Sequence, residues 1–310
     1  MSALAHSVLR LDCIDVCDYS ARGWNPATSA RARALEYCRY LEEGKILFFR
    51  RPPFSLPTDD YTFLIRQQHA GSMLRKNISY RPAADRLRGY HASSADQQRM
   101  QQVLGSCSAE ITSFVSRFLM PYADRLCRGY ASFRPVEEQG RNLPRHKRND
   151  LLHIDAFPSR PTRGGRILRV FTNLHPFRKR VWDVGGPFRE LAERYAEKTG
   201  TRLAGLLTKL VRWLRAAGLP LAERSPYDRV MLRLHNLLKE DRAYQAQANP
   251  RRVEFPPMST WLVFTDGLPH AVLSGQFAIE QTFVVPIEAL VSPQHSPLRI
   301  LEGVARRPLA

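Results

Sequence analysis

Leu151-Leu152-His153-Ile154-Asp155 and, after a Pro/Gly/Arg turn region, Arg166-Ile167-Leu168-Arg169-Val170-Phe171-Thr172-Asn173 are two strand-like runs on which the reading of this chain turns. Successive side chains of a strand point to opposite faces, so residues i and i+2 share one. His153 and Asp155 then stand side by side, an imidazole next to a carboxylate. In the second run Arg169, Phe171 and Asn173 share one face, and Arg166 and Leu168 take the other. The tail continues in the same style, with Arg252 to Phe255, Ser259 to Phe264, His270 to Leu273 and Phe277 to Val285. Gly267, Pro269 and Ser274-Gly275 are turn signals between them. Short strands joined by such turns predict a small barrel or a two-sheet roll.

Upstream of these runs the pattern is mainly helical. Thr28 to Glu36 is rich in helix formers, and Lys45 to Phe49 reads as a short buried strand that stops at Arg50-Arg51-Pro52-Pro53. Asp59 to Gln68 is expected to be helical. Met100, Val103, Leu104, Ile111, Phe114, Val115, Phe118 and Leu119 have helical spacing, so Asp96 to Arg128 is one long helix or two in series. Tyr130 to Arg134 looks like a strand. Helical periodicity returns over 186–245, in the basic amphipathic piece Leu203 to Leu214 and in Tyr227 to Gln245. The expected organisation is one α+β domain over 1–310. Its parts are a mainly helical 1–128, a β core at 129–185 and 250–290, and a helical insert at 186–249.

The chain has 310 residues, 47 Lys+Arg against 29 Asp+Glu, a formal charge of +18 and 44% hydrophobic residues. That apolar fraction is enough for a core and excludes a disordered chain. No stretch reaches the roughly 18 apolar residues of a membrane span, and Met1 to Asp15 lacks the pattern of a secretory signal. Cys13, Cys17, Cys38, Cys107 and Cys127 are odd in number with no CxxC pair, so reduced structural thiols in a cytoplasmic protein are expected. Cys13 and Cys17, four apart, have the spacing of one helical face. A pI near 10.3 favours an anionic partner: nucleic acid, an anionic membrane or an anionic substrate. No zinc-finger spacing, RNP-like aromatic run or Walker loop is present, so nucleic acid is not the expected partner. No obligate protein partner is identified.

A third metal ligand completes the His-x-Asp pair. His270 lies 117 residues beyond His153, in Thr265-Asp266-Gly267-Leu268-Pro269-His270-Ala271-Val272, at the start of a strand. Two histidines and one carboxylate form the facial triad of non-haem Fe(II) oxygenases, with coordination positions left open. An enzyme of that kind that uses 2-oxoglutarate needs a cation for the far carboxylate, which arginine grips with two parallel hydrogen bonds. Arg169 is the first candidate and Arg166 the second, because no Arg or Lys occurs between His270 and Arg299. Asn173 shares the face of Arg169, and Gln281 and Thr282 lie where a co-substrate contact is often placed.

The run Leu152-His153-Ile154-Asp155-Ala156-Phe157-Pro158-Ser159-Arg160-Pro161-Thr162, with Gly165 to Phe171, resembles the 3-deoxy-D-manno-oct-2-ulosonic acid (Kdo) 3-hydroxylase family. So do Trp261 to Asp266 and Pro269 to Gly275. The resemblance implies a double-stranded β-helix (jelly-roll, cupin-like) core. It implies Fe(II), with 2-oxoglutarate and O2 as co-substrates, and hydroxylation at carbon 3 of Kdo attached to lipid A in the lipopolysaccharide inner core. Carried over by position, His153, Asp155 and His270 are the iron ligands. Arg148, Arg160 and Arg163 are candidates for the anionic substrate, together with Arg141, Arg145, Arg178 and Arg180. The basic helix with Arg194, Lys198, Arg202, Lys209, Arg212 and Arg215 is a candidate contact with the cytoplasmic face of the inner membrane, each residue contributing about 1 kcal/mol. Two rivals stand beside this reading: a 2-oxoglutarate hydroxylase of another anionic substrate, and a non-catalytic basic protein that binds lipopolysaccharide or nucleic acid.

Overall fold

A computed structural model describes residues 13–20, 24–25, 29–67, 77–201 and 224–310. Leu203 to Leu214, Thr28, Gln68 and the basic residues Arg202, Lys209, Arg212 and Arg215 lie outside the described residues. Eleven described strands form two sheets. The strands are β1 (Cys13–Asp15), β2 (Ile46–Phe49), β3 (Ile78–Arg81), β4 (Arg86–Arg88), β5 (Cys127–Arg134), β6 (Arg166–Asn173), β7 (Arg180–Val184), β8 (Arg251–Phe255), β9 (Thr260–Phe264), β10 (His270–Ser274) and β11 (Ala278–Val285). The large sheet has the order β1-β2-β9-β6-β11-β5-β3-β4, and the small one β10-β7-β8. Only β1 and β2 pair in parallel; every other pair is antiparallel. The two sheets face each other as a jelly roll, with the helices outside.

The helices are α1 (Ala30–Glu42), α2 (Thr58–Ile65), α3 (Ser94–Phe118), α4 (Phe188–Arg194), α5 (Pro226–Glu240), α6 (Arg242–Gln247) and α7 (Pro297–Ala305). The part expected to be mainly helical also supplies β1 to β4 to the large sheet. The stripe Met100, Val103, Leu104, Ile111, Phe114, Val115 and Phe118 of α3 is wholly buried, as its spacing requires. Helix α3 begins where the Ser93 side chain accepts from the Asp96 N–H at 3.1 Å. It is a single helix and ends at Phe118 rather than at Arg128. Pro121 has no N–H to continue the ladder, and a short 3-10 turn, Met120–Arg125, leads into β5. Cys13 lies in a strand, so it and Cys17 do not share a helix. All five cysteines are free, and burial pushes the Cys107 thiol up to about 12.

Strand alternation divides the large sheet into two faces. Leu168 and Val170 of β6, Leu262 and Phe264 of β9, and Ile279 and Phe283 of β11 point outward into a core shared with α1 and α3. Phe171, Trp261 and Val263 point inward and meet Trp182, Val184 and Phe255 of the small sheet. Phe255 and Trp261 stack with ring centroids 3.8 Å apart. At the other end the inner face turns polar, with Arg134, Arg169 and Glu280. The site lies there, where the aromatic half of the roll gives way to charge.

Candidate active site

His153 and Asp155 arrive on a segment that is less regular than expected. It is no full strand: His153 makes an isolated bridge with His270. His153 N–H donates to His270 O at 3.1 Å, and His270 N–H returns to His153 O at 2.9 Å. Gln245 of α6 takes the groups a neighbouring strand would otherwise pair. Its Oε1 accepts from the Leu152 N–H at 3.0 Å and its Nε2 donates to Leu152 O at 2.9 Å. The alternation survives. Leu152 and Ile154 pack into a cluster with α4, α5 and α7, so His153 and Asp155 face the opposite way, into the roll.

The His153 and His270 imidazoles are each oriented by a backbone carbonyl. His153 Nδ1 lies 2.7 Å from Leu151 O, and His270 Nδ1 lies 2.9 Å from Leu268 O. A carbonyl only accepts, so Nδ1 carries the proton and Nε2 presents its lone pair. One atom from each of His153, Asp155 and His270 lies within 4.8 Å of the others. His153 Nε2 is 3.9 Å from Asp155 Oδ1. The two imidazole centroids are 4.7 Å apart, and Trp182 stacks on His270 at 5.1 Å.

Electrostatics keeps the three groups ready for a cation. Burial, helped by the neighbouring His270, pushes the proton affinity of His153 well below its usual value. Burial does the same to His270, against the opposing pull of Asp155. Burial alone would raise the Asp155 carboxyl. The Arg169 guanidinium outweighs it and holds that carboxyl well below the ordinary range. Neutral imidazoles and an ionised carboxylate are the donor set that divalent iron takes. Residues from both sheets and a helix shape the surrounding cavity of about 130 Å³.

Arg169 reaches this cavity, as its strand face predicts. Its Nε forms an ion pair with Asp155 Oδ2 at 2.9 Å, and its Nη1 pairs with Glu280. Arg169 therefore holds the Asp155 carboxylate in place. Arg166 does not reach the site. It lies on the other face of β6, where its Nε donates to Asp266 Oδ2 at 2.9 Å, and it borders a different cavity. Asn173 is spent on backbone: its Nδ2 donates to Arg178 O, Phe255 O and Pro256 O. Gln281 donates to Gly129 O and Thr282 O, on the opposite face of β11 from Glu280. None of these three lines the metal cavity.

The substrate candidates also scatter. Arg160 stacks over Tyr130 at 3.8 Å and Phe157 at 4.5 Å, the latter ring also lying 5.8 Å from Arg169. Arg148 pairs with Asp150 at 2.6 Å, and the Arg163 backbone N–H donates to Asp228 at 3.2 Å. Arg180 is not on the surface at all: it is 0% exposed. It shares the inward face of β7 with Trp182, which lines the cavity.

Four contributors were missed in the sequence. Arg134, at the end of β5, pairs with Glu280 of β11 and with Glu138 at 3.3 Å. A carboxylate set between Ile279 and Gln281 in an apolar strand is a cue for a buried cation, but the cue does not name the partner. His235 and Lys239 both come from α5 and line the cavity. The His235 ring lies edge-on to His153 with centroids 5.3 Å apart, and its Nδ1 is 2.6 Å from Ile154 O.

A family model described as 3-deoxy-D-manno-oct-2-ulosonic acid (Kdo) hydroxylase matches residues 24–308. No curated protein matches the chain. Among solved structures, the Kdo hydroxylase KdoO, a non-haem Fe(II) α-ketoglutarate-dependent dioxygenase, is similar over nearly its whole length. Its cobalt(II) complex has 35% identity and a TM-score of 0.79, covering 96% of this chain and 97% of that one. Its complex with α-ketoglutarate and Fe(III) has 34% identity and a TM-score of 0.79, covering 97% and 98%. The apo form has 35% identity and a TM-score of 0.80, covering 96% and 97%. With a His–Asp–His triad at the mouth of a jelly roll and a match that spans the described fold, this chain belongs to the Kdo hydroxylase family of Fe(II)/2-oxoglutarate-dependent dioxygenases.

Proposed function

We propose that this enzyme hydroxylates carbon 3 of Kdo carried on lipid A, at the cytoplasmic face of the inner membrane, with 2-oxoglutarate and O2 as co-substrates. The observation that carries the reading is the convergence of His153, Asp155 and His270 on one point of a cavity bordered by Arg134, Arg169 and Lys239. Iron held by His153, Asp155 and His270 would supply the chemistry that couples oxidative decarboxylation of 2-oxoglutarate, to succinate and carbon dioxide, with hydroxylation of the sugar. The protein's share is orientation and charge: two carbonyl-fixed imidazoles and an Arg169-backed carboxylate would hold the ion.

The far carboxylate of 2-oxoglutarate needs a guanidinium with donors to spare. Arg169, the first choice from its strand face, already holds Asp155 and Glu280. Arg180 fits better. Its Nη1 donates to Gly275 O at 3.0 Å and its Nη2 lies 3.9 Å from Glu138 Oε1, while neither its Nε nor its Nη2 makes a hydrogen bond within the protein. A wholly buried guanidinium with open donors is costly unless an anion completes it. Arg180→Met is expected to raise the KM for 2-oxoglutarate about 10- to 100-fold, the worth of a hydrogen bond to a charged group. Binding of cobalt(II) by the variant should stay near wild type, measured by equilibrium titration. An unchanged KM returns the anchor to Arg169.

The substrate assignment rests on the family and on the positive charge of the whole chain, which favours an anionic lipid surface. Arg194 and Lys198 are exposed on the flank of α4. Among the described residues, no helix is long and apolar enough to cross a membrane. Incubating the enzyme with Kdo-lipid A, Fe(II), 2-oxoglutarate and air should add one oxygen to the sugar, read by mass spectrometry with the position fixed by fragmentation. Addition of oxygen elsewhere, or to a different acceptor only, would overturn the assignment.

A further inference from the structure

Helix α5 brings the insert back to the metal. His235 and Lys239 are four residues apart, on one face of that helix, and both border the cavity of His153, Asp155 and His270. Lys239 is 4% exposed, and its Nζ donates to His146 O at 3.3 Å. A lysine this deeply buried is uncommon, because removing an ammonium from water costs several kcal/mol. It lies one helical turn from His235, whose ring centroid is 5.3 Å from that of His153.

The opposite wall is charged differently. On the large sheet Asp155 faces Arg169, Glu280 faces Arg134 and Arg169, and Glu138 faces Arg134. Lys239 is a further cation that helix α5 adds to the same cavity.

The acceptor proposed above is a 2-keto sugar acid, whose carboxylate carbon is bonded to carbon 2, next to carbon 3. A cation that grips this carboxylate must therefore share a cavity with the metal that acts at carbon 3. We propose that Lys239 binds the carboxylate of the sugar acid and so sets the reacting carbon in front of the metal. The proposal rests on the Kdo reading and deepens it. It makes the helical insert part of acceptor recognition. A flexible ammonium suits this role, since it can follow one carboxylate oxygen without imposing the fixed fork of arginine.

The test has two stages. Wild-type enzyme is first assayed on Kdo-lipid A; no hydroxylation there sinks the Kdo reading itself, whatever Lys239 does. Given turnover, Lys239→Met and Lys239→Arg are compared with wild type on Kdo-lipid A and on its carboxyl-methyl ester. Equilibrium affinity for both lipids is measured alongside KM, under nitrogen with 2-oxoglutarate present. Wild type should prefer the free acid about 10- to 100-fold in affinity. Lys239→Met should lose most of that preference, and Lys239→Arg should regain part of it. Binding of 2-oxoglutarate without acceptor should be unchanged in both. A Lys239→Met enzyme that still prefers the free acid as wild type does overturns the proposal. So does one whose main defect is a raised KM for 2-oxoglutarate, which would make the co-substrate the source of the carboxylate. Should Lys239→Met fail to fold, Lys239→Gln and the wild-type preference decide: a wild type indifferent to esterification overturns the proposal outright.

Discussion

Replacing His153 by alanine is expected to abolish iron-dependent formation of succinate, a fall of about a thousandfold or more. A metal ion contributes several kcal/mol to the reactions it serves, and every 1.36 kcal/mol or so is a factor of ten. His153 is irreplaceable for a geometric reason. Its Nε2 shares one point with Asp155 and His270, all within 4.8 Å, and its Nδ1 is committed to Leu151 O at 2.7 Å. His235 stands near, but its ring is edge-on to His153 and its Nδ1 is tied to Ile154 O, so it does not substitute. The variant should keep its fold, because the backbone exchange between His153 and His270 does not involve the imidazole. Succinate is measured by mass spectrometry, with circular dichroism confirming the fold. Retained turnover in a folded variant would mean that the metal sits elsewhere.

The second large effect is on stability and lies away from the metal. Arg166 and Asp266 are each 1% exposed, on the outward side of β6, and their ion pair closes at 2.9 Å. The Arg166 guanidinium also lies over Phe264 at 4.2 Å. Arg166→Met removes the cation and leaves Asp266 buried. Breaking such a pair costs about 3–5 kcal/mol, whereas replacing both partners by apolar groups is often neutral. Arg166→Met is expected to lower the unfolding free energy measured by urea denaturation by that amount, and Arg166→Met with Asp266→Leu to recover most of it. The KM for 2-oxoglutarate should not move in the folded variant, since Arg166 does not reach the cavity. An Arg166→Met enzyme of wild-type stability would show that the pair contributes nothing.

Period-two reasoning picked out His153, Asp155 and His270, which the fold brings within 4.8 Å of one another, and missed other residues that line the same cavity. His153, Asp155 and His270 were legible because ligands two apart in an extended segment must share a face, even when that segment makes only one bridge. Arg169 followed from the same parity on β6. Parity also set Arg166 opposite Arg169, but it does not say which face fronts the metal, since the ligands come from another segment. Arg180 was grouped with the arginines for the anionic substrate, because its five-residue strand, with Arg180 inward and Asp183 outward, does not by itself say which face is buried. The inward face of Arg180, Trp182 and Val184 becomes visible only once the strand pairs with β10. His235 and Lys239 were hidden in a helix whose apolar stripe, Val230, Met231, Leu234 and Leu238, accounts for its spacing without them. That α5 folds back onto a strand more than eighty residues upstream is a tertiary fact with no local signature.

Anaerobic titration tests the central claim most directly. Wild-type protein is mixed with Fe(II), then with 2-oxoglutarate, in the absence of oxygen. A weak visible charge-transfer band is expected that saturates at one Fe(II) and one 2-oxoglutarate per chain, and His153→Ala or Asp155→Ala should eliminate it. A band that survives in both variants, or the lack of any band in wild-type protein that binds Fe(II), would contradict a single ferrous ion held by His153, Asp155 and His270.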